Sequence, residues 1–260
     1  MTRPSRILFA PTLGRALAEI AIIVTGVLIA LGADAWWTER EERATLEEYI
    51  ARLAEDLDAD RGNLEAVATQ EEWRTVVADR LLERMRSPVE VPGDTLRRWL
   101  NVTRGGGFGP IRTGTWRDLS STGRLALFED PNMRLWLLRY YDWFVPDHNG
   151  SLAVYDAQLE SLVRAMQHHL DDRAVFGHLQ GHPDVPVIVT SWDALRGDPE
   201  VLAQLRGVSA TAVDEARWRR LSIETIVDCF RLALHDAGAP WEVEAEYFAE
   251  ARERCRPSES

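Results

Sequence analysis

The 260 residues are 45% hydrophobic and 28% charged, a globular composition rather than a disordered one. The net charge of −12 and the pI of about 5.0 repel phosphate backbones and exclude nucleic acid as a main partner. All thirty basic residues are arginine, which excludes Schiff-base, P-loop and kinase-type lysine chemistry.

The first element is an apolar helix. Ile20 to Gly32 carries no charge. Extended to residues 16–37, about 22 residues give roughly 33 Å of helix, enough to cross a bilayer. Arg3, Arg6 and Arg15 precede this stretch, and Trp36 and Trp37 close it as an interfacial aromatic belt does. The arginine bias predicts a cytoplasmic segment 1–15, a transmembrane helix 16–37 and an extracytoplasmic domain 38–256 with a frayed tail 257–260. The expected location is the bacterial inner (plasma) membrane. With only about 15 residues ahead of the span, no cytoplasmic output domain is expected. Glu19 lies one turn from Arg15, so an ion pair near the cytoplasmic interface is expected. Gly26 with Ala30, and Gly14 with Ala18, have the small-xxx-small spacing that permits a homodimer through the anchor. The alternative is cleavage after Ala35, because Ala33-Asp34-Ala35 has the form of a signal-peptidase site, and secretion follows from it.

From Thr38 a long helix continues from the anchor. Leu46, Ile50, Leu53, Leu57, Leu64 and Val67 recur at helical spacing. Asp60 interrupts this seam, and its phase is expected to shift near Trp73, before Val76, Val77 and Leu81. The helix should end by Pro88. A short helix is predicted over Thr95–Val102, followed by the glycine-rich run Gly105 to Pro110, which lacks the flanking strand and GK[ST] of a phosphate loop. Gly123 should break the chain between two helices. Asp130-Pro131 predicts an N-cap and a helix that carries Leu135, Leu138 and Tyr141 on one face, with Trp136 and Tyr140 beside it, and ends near Pro146. Ser151–Leu170 reads as a further helix. Val185 to Thr190 reads as a brief extended piece and Asp193–Leu205 as helical. Thr211 with Asp214 has capping-box form and should open a long helix ending at Gly238-Ala239-Pro240. A last helix covers Trp241–Cys255. The fold class expected is therefore all-α, an N-terminal transmembrane helix continuing into an irregular multi-helix bundle.

Two stretches carry a resemblance. One runs Ala18-Glu19-Ile20, Val24, Gly26, Leu28 to Leu31, Trp37 and Glu39; the other runs Leu119 to Gly123, Leu125, Asp130, Leu135 and Tyr140-Tyr141. Together they resemble a family of bacterial single-pass membrane proteins, known only as a domain of unknown function. In that family a GEI…VxxGxLIAL anchor runs into an acidic helix like Tyr49 to Asp60. Ala18 stands where the family has glycine, and Asp34 to Trp36 replaces its Asn-Asn. The resemblance implies an uncleaved anchor and a helical domain. It implies no activity and no catalytic residue.

The candidate metal ligands are His168, His169, His178 and His182, near Asp171 and Asp172. Gly177, Gly181 and Pro183 break the helix the last two would need, so no metal is the expectation. The ten tryptophans, among them Trp99, Trp116, Trp136, Trp143, Trp192, Trp218 and Trp241, are expected mostly in the core; an aromatic ligand pocket is the alternative. Cys229 and Cys255 either form one disulfide or leave Cys229 as a small buried residue. No catalytic motif stands out and no cofactor is expected. The function expected is a membrane-tethered, non-enzymatic domain that scaffolds, assembles or senses through an unknown protein partner. The alternative is an extracytoplasmic ligand- or metal-binding domain.

Overall fold

The computed structural model describes residues 13–104, 111–171, 187–241 and 245–255. Among these the chain is an all-α bundle with no strand, and Leu170 and Ile188 form an isolated antiparallel bridge. Of the extended piece expected over Val185 to Thr190, only Ile188 lies in a bridge; Val187, Val189 and Thr190 are bends, and residues 185–186 lie outside the described residues. The chain divides into two compact units, 1–48 and 49–260.

Helix α1 (Leu13–Met85) is the longest element. In the first unit, its side chains from Leu17 to Trp37 are all exposed. In the second unit, α1 buries Ile50, Leu53, Leu57, Asp60, Leu64, Val67, Glu71, Arg74, Ala78, Leu81 and Met85. These positions alternate in spacings of three and four, the heptad pattern of a helix that keeps one face to its neighbours. The expected phase shift near Trp73 does not occur. Trp73 and Val76 are exposed, and the seam passes through Glu71 and Arg74 instead. A purely apolar reading misses this because three positions of the stripe are polar. The helix ends before Pro88, as its ring requires.

Helix α2 (Gly93–Arg104) buries Leu96 and Leu100, and α3 (Gly114–Ser121) buries Thr115 and Leu119. Gly123 then takes a left-handed φ of 72°, which glycine adopts without a Cβ clash. A 3₁₀ turn follows over Arg124–Leu127. Asp130 caps α4 (Pro131–Leu138) by accepting from the Asn132 amide.

The helix does not end near Pro146. It passes through a π-helical turn, π1 (Arg139–Phe144), into α5 (Val145–Met166). The Val145 amide bonds to Tyr140 O, five residues back. The widened turn carries the chain past a proline that lacks an amide and crowds the preceding turn. Met133, Leu137, Tyr140, Tyr141 and Phe144 form the buried face, while Leu135 and Leu138 are exposed.

Ser191 caps α6 (Trp192–Gly197), and Asp198 caps α7 (Pro199–Ser222). Thr211 and Asp214 therefore lie inside α7 and open nothing. Asp198-Pro199 is the start signal, the same pair that starts α4. A second π turn, π2 (Ile223–Val227), leads into α8 (Asp228–Asp236). The two π turns contact each other, and Tyr140 of π1 packs on Phe230 of α8 at 5.5 Å between ring centres. Gly238 ends this helix at a φ of 95°. The last helix, α9 (Ala245–Arg254), packs on α8 through Phe248, Ala251 and Leu232. Cys229 is buried and also bonded: a disulfide joins it to Cys255.

One large core joins the end of α1 to α2, α5, α6 and α7 through Leu81, Leu100, Leu162, Trp192 and Leu205. Each such side chain stabilises the fold by about 1.5–3 kcal/mol relative to exposure. The Trp192 indole donates to Ser87 O at 3.0 Å, which satisfies its buried N–H.

Candidate functional site

The three polar interruptions of the α1 seam organise two buried polar centres. At the first, the Asp60 carboxylate accepts from the Arg112 amide at 2.9 Å and the Tyr140 hydroxyl at 2.8 Å. One turn earlier, Asp56 accepts from the Thr115 hydroxyl at 2.6 Å. Tyr141 stacks on Trp116, ring centres 5.1 Å apart, and its buried hydroxyl has no hydrogen-bond partner among the described residues. Burial raises Asp60 to about 6, against the lowering effect of its two donors, and Asp56 adds repulsion. Tyr140 and Tyr141 are both raised by burial first and then by the carboxylates.

The second centre lies where α1, α5 and α7 meet. Arg74 makes a two-pronged contact with Glu71, at 2.9 and 2.7 Å, and its Nε donates to Val102 O at 3.2 Å. Its guanidinium lies over the Tyr155 ring at 4.6 Å. From α7, Arg219 donates to Glu215 at 2.8 Å and meets His148 Nδ1 at 2.9 Å. Glu71, Arg74 and Arg219 are all 0% exposed. Burial raises Glu71 and Glu215 and lowers both arginines. His148 is pushed down to about 4, by burial first and by Arg219 second. It is therefore neutral, and because Arg219 donates to Nδ1 its proton sits on Nε2. Two guanidinium groups and two carboxylates balance in charge. Removing one partner of such a buried pair costs about 3–5 kcal/mol, because the other charge stays buried and unpaired. Glu71, Arg74 and Arg219 are closed off from solvent and Glu215 is partly exposed, so the centre ties α1, α5 and α7 together from inside.

Of the four candidate histidines, His168 and His169 are among the described residues. His168 is exposed. His169 uses both ring nitrogens: Nδ1 meets the Thr190 hydroxyl at 3.1 Å and Nε2 meets Asp198 Oδ2 at 2.8 Å. The other Asp198 oxygen caps α7 through the Glu200 and Val201 amides. The His169 bond is the first cause holding Asp198 below the usual carboxylate range. His169 thus latches the chain after α5 to the start of α7. His178, His182 and the glycine-rich run 105–110 lie outside the described residues. Among the described residues, no three metal-binding side chains come together.

Only Trp192 of the seven tryptophans expected in the helices is fully buried. Trp99, Trp116, Trp136, Trp218 and Trp241 are half-buried and Trp143 is exposed. Indoles are large and keep an edge at the surface. A recess of about 340 Å³ between α1 and α7 is lined by Glu72, Thr75, Val213, Ala216, Arg217 and Arg220. No aromatic side chain lines it, so it does not form the aromatic pocket considered from the sequence.

In the first unit, Gly26 and Ala30 are exposed, and a Cβ added at Gly26 meets nothing within 4 Å. Glu19 is exposed; the Arg15 side chain lies outside the described residues. Trp36 and Trp37 meet edge to face at 6.4 Å. Trp36, Glu39, Arg40, Arg43, Ala44 and Glu47 line a recess of about 420 Å³.

Compared with known proteins, the chain matches no family model, no curated protein and no solved structure.

Proposed function

We propose that this chain is a membrane-anchored, non-enzymatic helical domain that works on the extracytoplasmic side through a protein partner. The observation that carries the reading is the apolar stretch of α1. Its 18-residue window has a mean hydropathy of 2.0, and 0% of it is buried. An apolar core helix hides its side chains against neighbours. Here Ile22, Ile23, Leu28 and Ile29 are all exposed, and a run of such residues in water is a strong drive toward lipid.

Three further features support it. Trp36 and Trp37 stand at one end of the stretch, where amphipathic indoles favour the interface. The Cys229–Cys255 disulfide suits an oxidising compartment. The sequence resemblance to single-pass membrane proteins points the same way. The bundle, with its charged centres tying helices together from inside, suits a domain whose output is a binding surface.

Alkaline carbonate extraction of membranes from expressing cells tests this, combined with the intact mass of the recovered chain. The expected result is a full-length chain that stays in the pellet, with residues 49–260 digested by protease added from the extracytoplasmic side. A soluble chain shortened to begin at Trp36 would replace the anchor by secretion.

A further inference from the structure

The outer face of the continuous helix α4–π1–α5 carries an apolar stripe. Leu135 and Trp143 are each 58% exposed and Val154 is 69% exposed. The π turn keeps them in line. An α turn takes about 3.6 residues and the wider π turn about 4.4. The eight residues from Leu135 to Trp143 therefore complete two turns, and the eleven from Trp143 to Val154 complete three more. Leu138 and Pro146, also eight apart across π1, form a second exposed line beside the first. Single exposed apolar residues are ordinary; a stripe of roughly 29 Å marks an interaction surface.

Charges flank the stripe in a definite order. Arg139 and Asp147 are eight residues apart across π1 and so share one flank; Arg134 and Asp156 lie on the other. All four are exposed. Arg139 lies with its guanidinium 5.1 Å from the centre of the Trp136 ring, and Arg134 donates through Nε to Phe128 O. Among the described residues none of the four makes an ion pair. Each flank thus has an unpaired cation nearer the start of the helix and an unpaired anion nearer its end.

We infer that this stripe pairs with the same stripe of a second copy of the chain, helix antiparallel to helix, about a two-fold axis near Phe144 and Val145. The inference rests on the reading that the domain works through a binding surface, and it names the partner. About that axis Leu135 lies opposite Val154 of the second copy, and Trp143 lies opposite Pro146 of the second copy. Arg134 comes within one residue of the height of Asp156 of the second copy on the same flank, and Arg139 within one turn of Asp147 of the second copy. Asp142 stands at the height of Asp147 of the second copy but on the other flank. A two-fold contact requires this reciprocity, because whatever one residue gives its opposite it also receives. A parallel pairing would set each arginine against itself and each aspartate against itself. The apolar contacts supply the attraction, and the exposed ion pairs fix direction and register.

Short bis-maleimide cross-linking of the full-length chain in membranes tests the pairing. Both native cysteines are bonded, so an introduced cysteine is the free thiol. Asp142→Cys stands beside the axis and should give a covalent dimer by itself. Leu135→Cys and Val154→Cys should each stay monomeric, because each lies roughly 29 Å from its own copy, and should join when mixed. Placed in the Asp142→Cys chain, Arg139→Glu should lower the dimer yield about fivefold. Asp147→Arg should do the same, and the two together should restore it. No dimer from Asp142→Cys, a dimer from Leu135→Cys alone, or a double charge variant as weak as either single one would each overturn the pairing and give the stripe to a different partner. Those results in a chain retained by the membrane leave the anchor reading standing. A soluble chain overturns the anchor reading, and the same cross-links on it decide the pairing.

Discussion

Asp60 shows how one residue can cost stability and still set the architecture. Its carboxylate is buried, holds the Arg112 amide and takes the Tyr140 hydroxyl. Burial raises it to about 6, above its value of 3.8 in the open chain. The folded state therefore binds its proton more tightly than the unfolded state does. Its contribution to stability is fully present below pH 3.8 and is lost as pH rises through 6. The difference amounts to about 3 kcal/mol at most. His148 acts with opposite sign: it is lowered to about 4 from 6.5, so its contribution is present above pH 6.5 and is lost as pH falls through 4. The two slopes oppose each other in the parent protein. Comparing Asp60→Asn with the parent isolates the first. Urea midpoints measured from pH 4 to 7 should show the variant gaining on the parent as pH rises, by about 2–3 kcal/mol in all. Parallel curves would mean that Asp60 is not burdened by burial.

Both centres were half legible in the sequence. Asp60 stands out as a break in an apolar seam. Glu71 and Arg74 fall at the next expected seam positions, but a charged pair three residues apart reads as a solvated face. The alternation of three and four carries on through them, and that continuity is the signal. His148, Glu215 and Arg219 carried no such signal, because their meeting depends on how α5 and α7 cross α1.

At the scale of elements, start and stop signals that act within one turn were readable. Asp130-Pro131 and Gly123 do what their chemistry predicts, because a cap or a left-handed φ is satisfied locally. Pro146 misleads for a related reason. A proline ends an α-helix only if the preceding turn stays α-helical, and π1 removes that condition. The contact of π1 with π2 holds the widened turns in place, and no local pattern encodes it. At α9 the disulfide is the decisive tie. Closing a loop of 26 residues restricts the unfolded chain by about 3.5 kcal/mol. Arg61, Tyr247 and Arg254 also converge on Asp228 beside it. Reduction should lower the unfolding temperature of the protein, and amide exchange should speed up first in α9. A Cys229→Ser/Cys255→Ser chain should behave like the reduced parent. An unchanged melting curve under strong thiol reductant would show that the hydrogen bonds alone hold this helix.

For the whole molecule, the compact unit 49–260 contains the large core and both buried centres. A fragment of residues 49–260 is expected to fold without detergent and melt cooperatively, within a few degrees of the full chain, as for loss of a segment worth under about 1 kcal/mol. Circular dichroism and sedimentation of the fragment measure this; a helical but non-cooperative or aggregated fragment would show that the first unit is needed for folding. The sequence by itself determined the helical class, the apolar start of α1, the capped start of α4 and the net negative charge. These follow from composition, periodicity and contacts within a turn. The Asp198-Pro199 pair that opens α7 is a local signal of the same kind. Tertiary structure alone decided which polar residues lie inside, that a π turn carries the helix past Pro146, and that Cys229 meets Cys255. Each of these depends on residues tens of positions apart being brought together, where burial and partner choice outweigh local preference.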